Sequence, residues 1–470
     1  MFEVCDNNKT IHFIGIGGIG VSGIAEILHH LGYIVQGSDK VYTSNLERLE
    51  KLGMTLFVGH DPSHVENSDV VVYSSAIKSD NVELVKAREL KIPCLPRAEM
   101  LSQLVRFKKS IVVAGSHGKT TVTSICAAML EMADFDPTVI NGGVINAYKT
   151  NAKLGIGNWT VIESDESDGS FTKFTPTIGI VTNIDKEHIA YYNSFENLKN
   201  SFKTFLSNIP FYGAGIVCTD DENIYDIINN MTDIKIITYS IIKDSMFKAI
   251  NIRKTEAGST FDVAINVPNN NEIITDINIP LLGEHNIKNS LAAVATAYEL
   301  KINTEIIKAT LNSFAGVRRR FTKVGTINKV PVIDDYAHHP TEIRALLESA
   351  GQYSKGKIII IHQPHRFTRL NTLFIEFTEC FDKADIVLIT QVYKADDADS
   401  GKINAEDLYQ ALVKKGKNAI FAKDIESMQN GLENIININK LTNADLIIFS
   451  GAGSISKWAY EIVKNIGEPA

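Results

Sequence analysis

The sequence predicts an α/β protein in three domains, and three observations lead there. Short apolar runs alternate with amphipathic stretches along the chain, the pattern of βα units around parallel sheets. Several of those runs end in a glycine-rich or polar turn that opens a helical stretch. At 470 residues the chain exceeds what one ordinary core organises, so about three domains are expected. Hydrophobic residues at 44% and charged residues at 22% are the proportions of a soluble globular chain. The net charge of -8 argues against a general nucleic-acid binder, which carries a basic face. It leaves a small anionic ligand open, because loops bind such groups locally.

The first landmark is a β-branched run at 11–16 entering Gly15-Ile-Gly-Gly-Ile-Gly20, then a helical stretch at 21–31 and a second apolar run at 33–37. The basic step Arg106-Phe-Lys-Lys-Ser110 reads as a linker. Behind it comes the run 111–114, the turn Gly115-Ser-His-Gly-Lys-Thr-Thr121 and a helix over 120–132. Residues 223–280, rich in Ile, Thr and Asn, read as several short antiparallel strands or an insertion. Gly316-Val-Arg-Arg-Arg-Phe321 reads as a second linker. It precedes a strand over 330–334, the segment Tyr336-Ala-His-His-Pro340 and a helix over 341–350. Strands over 357–361, 386–390, 418–421 and 446–449 then alternate with helices, the last meeting Ser450-Gly-Ala-Gly453. The expected domains are 1–107, 108–317 and 318–470. No apolar run reaches membrane-spanning length and no basic-then-apolar leader opens the chain, so a cytoplasmic protein without a membrane partner is expected. Five scattered cysteines (Cys5, Cys94, Cys126, Cys218, Cys380) in no metal-type spacing agree with a reducing compartment.

Residues 115–121 carry the most chemistry. Backbone N–H groups of such a turn, together with a helix N-terminus, cradle phosphate oxygens. Lys119 would add a point charge on the outer phosphates, and the Thr120 hydroxyl could ligate Mg²⁺. The turn is shorter than the common eight-residue phosphate loop, because Val113 stands where that loop needs glycine and Gly115 takes its place. Gly15, Gly17 and Gly20 satisfy G-x-G-x-x-G, with Asp39 at the end of the next apolar run. That pattern reads as a nucleotide or dinucleotide site, NAD included, or as a tight turn without a ligand. Val161-Ile-Glu-Ser-Asp-Glu-Ser-Asp168 places a carboxylate cluster after a strand, either a Mg²⁺ site or a solvated loop. Ile180-Val-Thr-Asn-Ile-Asp-Lys-Glu-His188 repeats the plan with a histidine, a candidate metal ligand or general base. In a parallel sheet these carboxyl ends converge on one rim. His12 lies within the first strand and reads as packing.

Taken together these residues resemble the Mur ligase family, ATP-dependent amide-forming enzymes of peptidoglycan precursor synthesis. The short Gly115-Ser-His-Gly-Lys-Thr120 turn looks like that family's ATP motif. The match continues through Ser74-Ser-Ala-Ile77, Pro96-Arg-Ala-Glu-Met100, Glu163–Asp168, Phe195-Glu-Asn-Leu198, Gly283-Glu-His-Asn286, Asp334–Pro340 and Gln363-Pro-His-Arg366, across all three domains in order. The resemblance implies a Rossmann-like N-terminal domain, a central P-loop-type ATPase domain and a C-terminal Rossmann-like α/β domain. It implies joining of L-alanine to the lactyl carboxylate of UDP-N-acetylmuramate through an acyl phosphate, by a monomer or homodimer.

The resemblance also implies roles. The turn Gly115, Ser116, His117, Gly118, Lys119, Thr120 and Thr121 would hold ATP, with Asn286 and Asn289 near adenine. Lys119, Glu163 and His188 would be catalytic, and Thr120, Glu163 and His188 would hold two Mg²⁺ ions. Gly15, Gly17, Gly18, Gly20 and Ser74 would bind a UDP-sugar rather than NAD, with Asp39 and His60 near uridine. Tyr336, His338, Arg366 and Arg369 would present the amino acid and grip the nucleotide substrate. This sequence departs from the family pattern at Ser116, at Val122, at Tyr393-Lys-Ala-Asp-Asp-Ala398 and at Ser454. An NAD-dependent oxidoreductase and a nucleotide-sensing regulator are the alternatives. The first leaves Lys119, Glu163 and His188 unexplained, and the second leaves their intact pattern unexplained.

Overall fold

The β-branched run before the first glycine turn forms β1 (Thr10–Ile14), the middle of a five-stranded parallel sheet. The computed structural model describes residues 9–74, 76–105, 108–147, 150–229, 231–268, 270–395, 397 and 403–470. Cys5, Ser75, Arg106, Phe107, Asp396 and Ala398 therefore lie outside the described residues. With β2 (Ile34–Asp39), β3 (Thr55–Val58), β4 (Val70–Tyr73) and β5 (Cys94–Pro96), the first sheet has the order β3-β2-β1-β4-β5. The chain order reverses between β1 and β4, the place where a parallel sheet opens a crevice at its carboxyl edge. The glycine turn follows β1 and Ser74 follows β4, so both stand at that crevice. The helix Ile19–His30 begins two residues earlier than expected.

The second sheet comprises β6 (Lys109–Ala114), β7 (Thr138–Ile145), β8 (Thr150–Lys153), β9 (Trp159–Glu163) and β10 (Ile178–Val181). It continues with β11 (Ala214–Cys218), β12 (Ile236–Ser240), β13 (Phe247–Thr255), β14 (Gly258–Val267) and β15 (Asn270–Ile279), in the order β15-β14-β13-β12-β11-β10-β6-β9-β7-β8. Its centre, from β7 to β13, is parallel. Two expectations change here. Lys109 and Ser110 belong to β6 rather than to a linker, and the Lys108 ammonium donates to Thr138 Oγ1 at 3.1 Å and to the Gly155 carbonyl at 2.9 Å. Segment 223–280 opens with the helix Glu222–Ile228, and β12 joins the sheet parallel to β11 instead of starting an antiparallel set. Asp220 explains that entry, since its carboxylate takes the N–H groups of Ile241, Ile242 and Lys243 behind β12.

The third sheet comprises β16 (Thr322–Ile327), β17 (Val330–Asp335), β18 (Ile358–His362), β19 (Ile386–Thr390), β20 (Ala419–Ala422), β21 (Leu446–Ser450) and β22 (Glu468–Pro469). Their order is β20-β19-β18-β21-β17-β16-β22, with β16 antiparallel to β17 and to β22. In β18, Ile358 and Ile360 enter the cluster under the helix Pro340–Tyr353, while Ile359 and Ile361 enter the cluster under the helix Ile455–Ile466. A run buried on both faces has no polar alternation, and each such isoleucine contributes about 1.5–3 kcal/mol by leaving water. The chain divides into two compact units, one of 1–251, 261–277 and 288–315, the other of 252–260, 278–287 and 316–470. Among the described residues no helix is long and apolar enough to cross a membrane.

Candidate active site

In the first unit, the turn after β6 leads into the helix Lys119–Met132, whose N-cap is Gly118. Gly118 has φ +84°, and a Cβ there would stand 2.6 Å from Asn289 Oδ1, so only glycine lets the turn close against that asparagine. The end of β10 clamps the turn from outside. Ser116 N–H donates to the Asn183 carbonyl at 2.9 Å, and His117 N–H donates to Asn183 Oδ1 at 2.8 Å. Asp185 N–H donates to Ser116 Oγ at 2.9 Å, and Thr182 Oγ1 donates to the His117 carbonyl at 2.6 Å. The His117 ring also meets Asp185 Oδ2 at 3.0 Å. The polar residues after β10 therefore include a scaffold for the turn, a role the motif alone did not reveal.

The Lys119 ammonium lies 2.6 Å from the Gly115 carbonyl, 3.0 Å from the Ser116 carbonyl and 2.8 Å from Glu166 Oε2. Burial works against its charge, but Glu166, Asp165 and Glu163 around it hold its pKa above the usual lysine value. Thr120 Oγ1 donates to Glu163 Oε1 at 3.0 Å, and Gly142 N–H donates to Glu163 Oε2 at 2.7 Å. A Cβ on Gly142 would sit 2.6–2.8 Å from that carboxylate, so glycine at 142 is what allows Glu163 its place. Gly142 is a site residue the sequence reading missed.

His188 takes a left-handed backbone, φ 55°, and its Nε2 lies 3.7 Å from both Glu166 Oε1 and Glu187 Oε2. Ligand atoms of Asp165, Glu166 and His188 all lie within 4.8 Å of one another, a set able to hold a metal ion. The expected metal ligands thus fall into two contacts, Thr120 on Glu163 and His188 on Asp165 and Glu166. Oxygen-rich donors of this kind suit a hard divalent cation. Asn289 rests on Gly118, whereas Asn286, one turn earlier on the helix Glu284–Glu299, donates to the Leu282 carbonyl at 2.7 Å.

The turn after β1 is built differently. Gly15 and Ile16 both donate to the Ser38 carbonyl, and Gly17 N–H donates to Asp39 Oδ2 at 2.9 Å. Gly18 caps the helix Ile19–His30, Ser74 packs beside Gly15, and the Arg97 guanidinium comes alongside Gly20. Arg97 brings a cation to this turn that the sequence reading left unassigned. His60 is tied down: its Nδ1 meets Ser38 Oγ at 3.1 Å and Glu83 Oε2 at 3.0 Å. Glu83 is fully buried and also accepts from Ser38 Oγ at 2.6 Å and pairs with His64 at 2.6 Å, with His12 at 3.7 Å. Burial opposes its charge, but bonds from His12, Ser38 and His64 outweigh that and hold its pKa at about 2.

In the second unit, Gly316–Phe321 is no plain linker. The Arg319 guanidinium stands 4.8 Å from the Tyr336 ring centroid and that of Arg320 at 5.3 Å, while Arg319 donates to the Gly451 carbonyl at 2.6 Å. Asp335 accepts from the N–H groups of Phe321 and Ala337, which fixes the chain on either side of Tyr336. Rings of Tyr336, His338, His365 and Tyr393 follow one another at 5.1, 5.7 and 5.6 Å. Burial, with His338 nearby, brings the His365 pKa down to about 3, so that ring is neutral. Arg369 reaches His365 Nδ1 at 3.2 Å, and Arg366 is exposed with φ 70°. Tyr336, His338, Arg366 and Arg369 therefore belong to one carboxyl edge, with Arg319, Arg320, Asp335 and His365 as unforeseen members.

Comparison with known proteins gives one consistent result. The descriptions "Mur ligase family, catalytic domain", "Mur ligase middle domain" and "Mur ligase, glutamate ligase domain" match residues 10–109, 113–297 and 319–453. A UDP-N-acetylmuramate–L-alanine ligase of Rickettsia bellii is 48% identical over 98% of this chain and 97% of its own. One of Brucella anthropi is 45% identical over 98% of both. A solved UDP-N-acetylmuramate–alanine ligase of Thermotoga maritima superposes with a TM-score of 0.80 at 28% identity, over 97% of this chain and 98% of its own. A murein peptide ligase of Psychrobacter arcticus, 22% identical with a TM-score of 0.72 over 98% and 99% of the two chains, shares the fold.

Proposed function

The chain belongs to the Mur ligase family, and we propose that it joins L-alanine to the lactyl carboxylate of UDP-N-acetylmuramate, driven by ATP. The observation that carries this reading is the contact of Thr120 with Glu163 beside Lys119, at the carboxyl ends of β6 and β9. We assign the UDP-sugar to 1–107, ATP to 108–317 and the amino acid to 318–470.

A carboxylate is a poor electrophile and must be activated before an amine attacks it. The lactyl carboxylate attacks the ATP γ-phosphorus, ADP leaves, and an acyl phosphate forms. Lys119 and the N–H groups of the turn stabilise charge on the transferring phosphoryl group. Thr120, Glu163 and His188 would hold Mg²⁺, which neutralises charge on the phosphates when bound. The alanine amine, having lost a proton, attacks the acyl carbon, and the tetrahedral intermediate expels phosphate. Arg366 and Arg369 suit a carboxylate or phosphate, which a guanidinium grips in bidentate fashion. At the first turn, the Gly15–Gly20 backbone and Ser74 recognise the UDP-sugar and Arg97 adds a cation, while Asp39 braces the turn through Gly17 N–H and His60, held by Ser38 and Glu83, belongs to the frame beneath it.

The test is phosphate release with UDP-N-acetylmuramate, ATP and each amino acid in turn. Release that requires all three substrates and is fastest with L-alanine supports the reading. Release without alanine preference removes the amino-acid assignment, and binding of NAD in place of the UDP-sugar removes the ligase.

A further inference from the structure

The Lys119 ammonium donates to the Gly115 carbonyl at 2.6 Å and the Ser116 carbonyl at 3.0 Å, and it forms an ion pair with Glu166 Oε2 at 2.8 Å. The two carbonyls belong to the turn that Thr182, Asn183 and Asp185 clamp, so they cannot give way without dismantling it. Glu166 can. Its carboxylate ends a flexible side chain between β9 and the short helix Ser170–Lys173, and its other oxygen already faces His188 at 3.7 Å. A phosphate oxygen reaching Lys119 therefore competes with Glu166 Oε2 for the ammonium. The pair is buried, with Lys119 at 13% and Glu166 at 1% side-chain exposure, so water screens it little.

From this geometry we infer that Glu166 is the resting counter-ion of Lys119, a built-in stand-in for phosphate that the nucleotide must displace. It is a positioning residue. It keeps the ammonium aimed at the turn until a nucleotide binds, and it sets how readily a triphosphate enters. The inference rests on the ATP reading of the turn and goes beyond it, since it gives Glu166 a role opposed to nucleotide affinity.

The experiment compares full-length wild type with Glu166→Gln, measuring equilibrium binding of ATP and of adenosine in EDTA. Glutamine keeps the shape and removes the competing charge. ATP should bind at least about tenfold more tightly to the variant, the scale of one charged hydrogen bond, while adenosine binds unchanged. A residue with only a structural role would leave ATP binding unchanged or weaken it, and either result overturns the inference. If the glutamine variant lacks a cooperative melting transition, Glu166→Asp keeps the charge but shortens the reach. It should tighten ATP in the same direction, and unchanged or weaker binding again overturns the inference. Wild type that releases phosphate with all three substrates, next to a variant of unaltered ATP affinity, defeats this inference alone. Wild type that neither binds ATP nor releases phosphate defeats both this and the ligase reading.

Discussion

The turns after β1 and β6 share one plan, a β-branched parallel strand, a glycine turn and a helix, yet their surroundings differ in kind. After β1, the nearest carboxylate bonds the turn itself, Asp39 on Gly17 N–H, and the buried charge beneath is Glu83 among His12, His60 and His64. After β6, a lysine from the turn lies among Glu163, Asp165 and Glu166, and a neighbouring strand end clamps the loop. The glycines make room in both cases. Which anion fits is decided by side chains that neighbouring strands deliver. A triphosphate whose outer group is transferred needs a cation whose counter-ion can be displaced, whereas a diphosphate that is only held needs a fixed frame.

The sharpest test of that contrast is Lys119→Ala. Loss of the point charge on the transferring group should lower ATP-dependent phosphate release by about a thousandfold. Calorimetric binding of UDP-N-acetylmuramate should stay within about twofold of wild type, a change too small to register as a lost hydrogen bond. A comparable loss in UDP-sugar binding would show that the two turns are not separate sites.

The second test concerns the frame under the first turn. The Glu83 pKa is lowered from 4.5 to about 2. A carboxyl depressed in the folded state contributes stability that is fully present above the unfolded value and lost as pH falls through the folded one. Glu83 should therefore supply about 3 kcal/mol above pH 4.5, disappearing towards pH 2. Urea unfolding of wild type and Glu83→Gln between pH 6 and pH 3 should show the difference shrinking as acid is added. A difference independent of pH would place the contribution of Glu83 in packing and not in its charge.

How far the sequence was legible follows the same division. The α/β class came from local signals, since buried parallel strands such as Ile358–His362 read as unbroken β-branched runs and glycines mark their ends. The turn 115–121 was legible because its signal lies in contiguous residues, glycines followed by Lys119 and Thr120 at a helix start. What stayed hidden depends on long-range pairing. Asn183 reaches His117 across 66 positions, Gly142 reaches Glu163 across 21, and Asp335 fixes Phe321 across 14. His60 was placed near uridine without any sign that Glu83, 23 residues on, would hold its ring. Arg319 and Arg320 read as part of a linker, because nothing local announces a tyrosine ring beside them.

Gly142→Ala probes whether the second turn depends on its partners as closely as that account requires. Residue 142 is exposed, and the atoms nearest the added Cβ are the far end of the Glu163 side chain, so stability should change by less than about 0.5 kcal/mol. Displacing Glu163 from Gly142 N–H should nonetheless lower phosphate release by about 10- to 100-fold and raise the Mg²⁺ concentration needed for half-maximal rate. An unchanged magnesium requirement would separate Glu163 from metal binding.

The smallest effect is expected at Asp39, and it bears on the first turn alone. Its carboxylate takes one N–H of that turn at 2.9 Å, so Asp39→Ala frees a donor and removes a negative charge from the turn proposed to hold the UDP-sugar. Two consequences oppose each other. Less negative charge favours the diphosphate, but the turn loses the bond that holds its conformation. Loss of the bond outweighs the relief of charge, because Gly17 has no side chain to fix its backbone, and a charged hydrogen bond is worth about 1.5–3 kcal/mol. UDP-N-acetylmuramate affinity should therefore fall about tenfold, with ATP affinity unaltered. Tighter UDP-sugar binding would mean that Asp39 acts at the first turn as Glu166 is inferred to act at the second, and the contrast between the two turns would collapse into one shared design.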